Sequence, residues 1–534
     1  MRSSRLPPVV VRLGFAVVAT LAAMVYGYAM HPWGPWALTD SAAYVDAARS
    51  IAAGQGVFIH TTKGGHVLLV HHPPGYPALL ALGMRLTAGQ WVAAARGIDL
   101  LALWLTLMVV GEWTFDATHD AAFSTLAMLA LAVAPFTAHA FTGVMSEAPF
   151  IALMVGWLYL LWRAWHVQRE MYFWLAVLLA GMDVLIRYAG LHAAIVLVVG
   201  ALLIPPKTSW RGRARRAALA LALFLGPFGL WMGYAAWMGR RSPGGFTPPT
   251  TWASAGASFL HQTAQTFLQT LLPMGGAPSP WLTGAFWLGV FALGWLTWQA
   301  WRKTTKPSRP AVFLICLAVL DGWAWFVFLA FMYIFIAPAP ALNARMYTPA
   351  MLMWVLAGLG AMWQVGSRWA QERRTVAWAI LGGCLLLVTA KAPHQPTRAW
   401  LYRLHRVGSG YTQQAWHQMA APGGVLHAVT QLPPATPIFS NAWEGTLLWT
   451  GRAVQPIDYH QWQTAAAQAR LTTAPKFEHW QQSQGALLLI WVAQHNQGQA
   501  ILMQSLRHSG AFLCYDDGLG SLYFPHPTEV CPAQ

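Results

Sequence analysis

MRSSRLPPVVVRLGFAVVATLAAMVYGYAM, residues 1–30, opens on a basic flank and then stays apolar for about twenty residues, enough to cross a hydrocarbon core of about 30 Å as one helix. A secretory leader has a shorter apolar core, so the segment reads as an uncleaved first span. Apolar runs of similar length recur to about residue 391, at 9–29, 91–111, 121–140, 145–163, 171–187, 190–205, 217–239, 281–301, 311–336, 346–365 and 376–391. The expectation is a polytopic α-helical membrane protein with about eleven transmembrane helices. The run at 171–205 divides into two short helices near Arg187-Tyr188.

Composition agrees, since 56% of the 534 residues are hydrophobic and only 9% charged, proportions unsuited to a water-soluble domain. The net charge of +16 does not point to nucleic acid. Its Lys and Arg residues sit in short loops between spans: MRSSR (1–5), RAWHVQRE (163–170), PPKTSWRGRARR (205–216), WRKTTKPSR (301–309) and SRWAQERR (367–374). Eleven crossings put all five on one side, which the positive-inside rule makes cytoplasmic. The chain carries 31 Trp, many near span ends, as an interfacial belt requires. Membrane lipids are therefore expected partners, with the N-terminus cytoplasmic.

The opposite face then receives the 30–90 loop, the turns near 140–147, 187–190 and 337–345, the 240–280 segment, and everything from 392. Asp40, His71, His72, Glu147, Arg187 and Arg345 all arrive there. Segment 240–280 is Pro/Gly-rich at its ends around an amphipathic helix at 256–272, which reads as an interfacial helix over a lipid-facing site. From 392 to 534 the chain turns polar, with strand-like TPIFSN (436–441), ALLLIWVA (486–493) and SLYFP (521–525) between helical stretches at 410–420 and 460–470. That alternation predicts a small C-terminal extracytoplasmic α/β domain. It has neither a Gly-rich phosphate loop nor metal-ligand spacing, so it reads as a scaffold or an acceptor-contacting module. Cys514 and Cys531 fall in it and either pair or stay free, whereas Cys316 and Cys384 lie in apolar segments.

TDSAAYVDAARSIAAGQG (39–56) follows the first span and carries an acid in a chain with only 17 Asp and Glu. Asp40, Tyr44, Ala47-Ala48 and Ile51 recur at helical spacing, with Gly54 and Gly56 to end the helix. Asp40 is either the cap of that helix or a chemically active carboxylate at a cavity mouth. In HHPPGYP (71–77), three prolines stiffen the backbone under His71 and His72. Adjacent side chains in an extended chain diverge, so the two imidazoles do not share a metal. His72 either bonds a phosphate or sugar, or makes a structural contact. Glu147, in TGVMSEAPF (142–150), starts a helix, where the macrodipole alone favours an acid. Arg187, in LIRYAG (185–190), and Arg345, in NARMYTPA (343–350), are either headgroup anchors or functional charges.

In this order the motifs resemble the opening of the C-type (GT-C) membrane glycosyltransferases, the broad family-39-like group that includes protein O-mannosyltransferases and the aminoarabinose transferase of lipid A. Asp40, Tyr44, Gly54, Gly56, His72-Pro73-Pro74 and Arg96 fall in the group's order, followed by Glu147, Arg187 and Arg345, so the similarity covers about 1–391. Many relatives carry Asp-Glu where this chain has Asp40-Ser41, and some have Lys at His72. The resemblance implies a GT-C-like catalytic domain at 1–391, with the α/β domain at 392–534. It implies sugar transfer from a polyprenyl-phosphate donor to a lipid, glycan or protein acceptor outside a bacterial plasma membrane, with inversion. Asp40 would be the catalytic base. Tyr44, His71, His72, Tyr76, Glu147, Arg187 and Arg345 would bind the donor's phosphate or sugar. No cofactor is expected; divalent-cation dependence occurs in this superfamily, and the obvious oxygen ligands are Asp40, Asp46 and Glu147. Two other classes compete: a lipid or solute transporter or flippase, and a relative that binds lipid-linked sugar without transferring it.

Overall fold

The structure is a computed structural model that describes residues 7–61, 65–203, 209–240, 245–246, 252–271, 279–302, 310–337, 342–366, 397–457, 475–483, 485–490, 506, 508–528 and 531. Contacts divide the chain into two units. The first comprises Met1–Ala29, Val70–Tyr76 and Arg96–Arg403; the second gathers Met30–Leu69, Pro77–Ala95 and Leu404–Gln534.

The first unit is helical, and its long helices explain the membrane reading. Seven described helices are long and apolar enough to cross a bilayer. These are α1 (Pro8–Met30), α4 (Trp91–Thr118), α7 (Glu147–Val167), α10 (Trp210–Trp237), α12 (Pro280–Arg302), α13 (Pro310–Phe335) and α14 (Ala344–Gly366). The protein is a polytopic helical membrane protein, although these seven do not reproduce the count of eleven. Expected span 376–391 lies outside the described residues. Along α1, Val9, Leu13, Val17, Leu21, Met24 and Tyr28 are exposed at three- and four-residue intervals, the stripe that hydrocarbon chains would cover. Helix α13 is mostly buried and packs against α14 and α12.

Two expected spans are interrupted for backbone reasons. Segment 121–140 forms α5 (Ala121–Ala132) and a six-residue helix α6 (Pro135–Ala140), because Ala134, restricted by the following proline, is extended at φ −69°, ψ 134°. The expected cut in 171–205 is present: α8 (Glu170–Ile186) ends at an extended Arg187, and a 3-10 turn (Tyr188–His192) leads into α9 (Ala193–Leu203). The helix expected at 256–272 is α11 (Trp252–Leu271), but its polar stripe faces protein. Ser258 and Gln262 bond the Tyr333 hydroxyl at 3.1 and 3.0 Å, and Thr263 bonds Tyr347 at 2.6 Å.

The second unit is built on a five-stranded mixed sheet, β6-β5-β7-β9-β8, from β5 (Ile438–Ser440), β6 (Val454–Pro456), β7 (Ala486–Ile490), β8 (Phe512–Asp516) and β9 (Gly520–Phe524). Strand β5 runs parallel to β6 and β7, and β9 antiparallel to β7 and β8. The continuous apolar run ALLLI suits β7 because both sheet faces are covered. Leu488, Ile490, Leu522 and Phe524 belong to one core, and Phe439, Leu487, Leu489 and Tyr523 to the other. Cys514 and Cys531 are joined as a disulfide, so the pairing reading holds. The helical stretch expected at 460–470 lies outside the described residues.

The segment after the first span also belongs to this unit. It forms α2 (Thr39–Ala52) and a hairpin of β1 (Phe58–His60) with β2 (His66–Leu68). Residues 33–37 are clamped to the helix Gln414–Ala420 and to the loop before it. Tyr411 N–H donates to the Ala37 carbonyl at 2.8 Å, the Thr412 hydroxyl to the Pro35 carbonyl at 2.9 Å, and His417 Nε2 meets the Trp33 carbonyl at 2.8 Å. Gly410 permits this approach, since its φ is +63° and a Cβ there would lie 2.0 Å from the Ala37 oxygen.

Candidate active site

Three of the charged residues singled out in the sequence converge in the first unit. Glu147 is the first residue of α7 and only 2% exposed. Its Oε1 accepts from Arg187 Nη1 at 2.9 Å and from Arg345 Nε. Arg187 owes its position to the break after α8, and Arg345 to the second residue of α14. Arg187 also donates to the Ser146 hydroxyl at 3.1 Å and contacts the Met346 sulfur at 3.4 Å. Arg187 keeps 13% and Arg345 29% of its side chain exposed, so the two guanidiniums and one carboxylate form a cationic group that a ligand can reach.

The HHPPG segment is held beside this group. The Tyr188 hydroxyl donates to the Val70 carbonyl at 3.0 Å and accepts from Trp231 Nε1 at 2.8 Å. At the other end, a Cβ on Gly75 would sit 2.5 Å from the Leu185 oxygen, so only glycine lets the backbone pass so close. Residues 70 and 75 are thus tied to residues 188 and 185, on either side of Arg187. Between them His71 is exposed and His72 half-buried, and Tyr76, next after Gly75, is fully buried. The His71 and His72 rings meet edge-on, with centroids 5.0 Å apart.

Asp40 and Tyr44 lie in the second unit, on α2. The cap reading of Asp40 does not hold: Leu38 is the cap residue, and Asp40 is the second residue of the helix. Ser41 closes the turn instead, its hydroxyl accepting from the Leu38 N–H at 3.0 Å. The Asp40 side chain is half-exposed and Tyr44 is buried.

Other buried charges escaped the sequence reading. Asp99 on α4 is fully buried, within electrostatic range of Glu147, and neither of its carboxyl oxygens has a hydrogen-bond partner among the described residues. Asp183 accepts from Trp157 Nε1 at 3.2 Å, and His192 Nε2 meets Asp321 Oδ1 at 3.0 Å. All four sit in or beside long apolar runs, and an ionisable residue there marks function by default, which was the available signal.

Two of the three obvious oxygen ligands are engaged by basic side chains. Asp46 is bound twice by His60, and Glu147 is held by two arginines. Among the described residues, no three His, Cys, Asp or Glu side chains come together as a metal site.

No family model matches the sequence, and no curated protein matches it. Solved structures do. ArnT from Cupriavidus metallidurans bound to undecaprenyl phosphate is similar with a TM-score of 0.59 at 14% identity, over 97% of this chain and 99% of that one. Its apo state gives 0.58 at 15% identity, over 97% and 98%. The archaeal oligosaccharyltransferase AglB from Archaeoglobus fulgidus, in complex with an inhibitory peptide and a dolichol-phosphate, gives 0.50 at 13% identity, over 96% and 74%. At such identities the likeness speaks for architecture alone: this chain shares the fold of these ArnT and AglB structures.

Proposed function

We propose that this protein is a glycosyltransferase that moves a sugar from a polyprenyl-phosphate donor to an acceptor on the extracytoplasmic side of a bacterial plasma membrane, inverting the anomeric centre. The observation that carries the reading is the pair of guanidiniums on Glu147, beside the HHPPG segment, in a GT-C fold. ArnT and AglB, similar in fold, were solved with undecaprenyl phosphate and dolichol-phosphate. In the reaction, the acceptor hydroxyl attacks the anomeric carbon and the bond from that carbon to the phosphate oxygen breaks. The polyprenyl phosphate leaves with the electron pair, and the acceptor proton passes to Asp40 as general base. Arg187 and Arg345 stabilise the charge that grows on the leaving phosphate, with His72 as a further donor. Glu147 holds the two arginines in place, and Tyr44, His71 and Tyr76 complete the expected donor contacts.

The test is turnover: a polyprenyl-phosphate sugar supplied to the purified protein in nanodiscs with candidate acceptors should release polyprenyl phosphate. Asp40→Asn should abolish release while the thermal unfolding profile stays that of the wild type. Transport of intact donor without release would favour a flippase, and full turnover by Asp40→Asn would remove Asp40 as the base.

A further inference from the structure

A second polar pocket lies wholly within the unit that carries the mixed sheet. Its volume is about 320 Å³, and its walls include Asp46, Arg49 and Ser50 from α2, Gln55 and Phe58, and the cross-strand pair His60 and His66. The two imidazoles are 4.4 Å apart between centroids. Behind them, Arg49 donates to the carbonyls of Leu447 and Leu448 at 3.1 and 2.7 Å, and its guanidinium lies 3.5 Å from where a Cβ on Gly451 would be. Ser50 is 7% exposed, and its hydroxyl, on the pocket wall, has no hydrogen-bond partner among the described residues. A buried, unpaired hydroxyl at a cavity wall is a group that awaits a ligand.

We propose that this pocket binds a phosphate-type oxyanion between His60, His66, Ser50 and Arg49. The acidic member of the pocket is already engaged: Asp46 Oδ2 accepts from the His60 N–H at 2.6 Å, and Oδ1 takes His60 Nδ1 at 2.8 Å. What remains for a ligand is a set of donors, the Ser50 hydroxyl, the two imidazoles and the Arg49 guanidinium, whose terminal nitrogens also hold the Leu447 and Leu448 carbonyls, and such a set suits an anion rather than a metal ion. The tautomer makes the site a switch. With Nδ1–H given to Asp46, neutral His60 presents a lone pair at Nε2 and repels an oxyanion, whereas the imidazolium presents N–H. The hydrogen bond to Asp46 raises the His60 pKa above its ordinary value, so the donor form persists to higher pH than in a free imidazole. The charged groups facing His60 are Asp46 and Arg49 from α2, His66 from β2, and Arg452, which with His60 lines the neighbouring depression. Arg452 itself is occupied by the carbonyls of Val429, Leu432, Pro433, Pro434 and Thr436. This site lies outside the residues assigned to sugar transfer and does not rest on that assignment.

The experiment uses the full chain in phosphatidylcholine nanodiscs, titrated with pyrophosphate in one arm and rebuilt with phosphatidic acid in the other. Binding in the first arm identifies a free phosphate, and binding in the second a lipid headgroup. Either should weaken at least about tenfold between about pH 5.5, below the ordinary imidazole value, and a pH above the His60 titration. His66→Ala, on the exposed hairpin, and Ser50→Ala should each weaken it several-fold at the lower pH, and His60→Ala should remove its pH dependence. Absence of binding in both arms at the lower pH, or equal binding by wild type and His66→Ala, would overturn the proposal.

Discussion

Glu147 carries two arginines on one oxygen, and this asymmetry sets what its substitution does. Removing the carboxylate leaves two guanidiniums facing each other in a largely buried place. Glu147→Ala should therefore destabilise the protein by about 3–5 kcal/mol, read as a lowered unfolding midpoint in nanodiscs. Replacing both arginines along with it, as Glu147→Ala/Arg187→Met/Arg345→Met, should recover much of that stability and none of the activity. His60 gives a pH prediction with a definite sign. Its folded pKa is raised by the Asp46 hydrogen bond, so its stabilising contribution is fully present below the unfolded value of about 6.5 and is lost as pH rises through the raised folded value. Asp46→Asn should move the His60 titration, followed by histidine-selective NMR, toward lower pH; an unmoved titration would deny the coupling. At this scale the sequence was partly legible. Glu147, Arg187 and Arg345 stood out as charges at the ends of apolar runs, but their mutual pairing depends on where α7, α8 and α14 begin and end.

Elements were legible in proportion to length. Long spans such as 9–29 and 311–336 return as α1 and α13 nearly residue for residue, because a run of about twenty apolar residues leaves a helix as the backbone's means of bonding itself in lipid. Short elements were harder. Strands β6 and β8, of three and five residues, went unrecognised, since VQP carries little alternation and two of the five side chains of FLCYD are exposed apolars. The proline at 135 is plain in the sequence, yet length alone suggests one span across it. The close pass of Gly75 past Leu185 belongs to the same scale, being a property of two segments rather than of one residue. Gly75→Ala must push residues 70–76 away from the end of α8, at a cost of about 1–3 kcal/mol. If that segment positions the donor, the variant should also lose turnover at saturating donor, whereas a merely structural contact would change stability alone.

For the whole molecule, composition announced the membrane class at once, and the order of the motifs announced the fold. What sequence could not show is that Met30–Leu69 groups with Leu404–Gln534, because the contacts that do it, such as Tyr411 with Ala37 and Arg49 with Leu447, join residues nearly four hundred positions apart. The disulfide between Cys514 and Cys531 suits an oxidising compartment, in keeping with the proposed extracytoplasmic placement of the tail. In cells, both thiols should resist maleimide labelling until reductant is added, and labelling without reductant would argue against that placement. The central claim is that Arg187 and Arg345 receive the phosphate of a polyprenyl carrier. Its most direct measurement is equilibrium binding of polyprenyl phosphate to the protein in nanodiscs, comparing wild type with Arg187→Gln and Arg345→Gln, each first checked for folding. Loss of a charge-assisted contact of about 1.5–3 kcal/mol should weaken binding by about tenfold or more in each variant. Wild-type affinity in both folded variants would contradict the account.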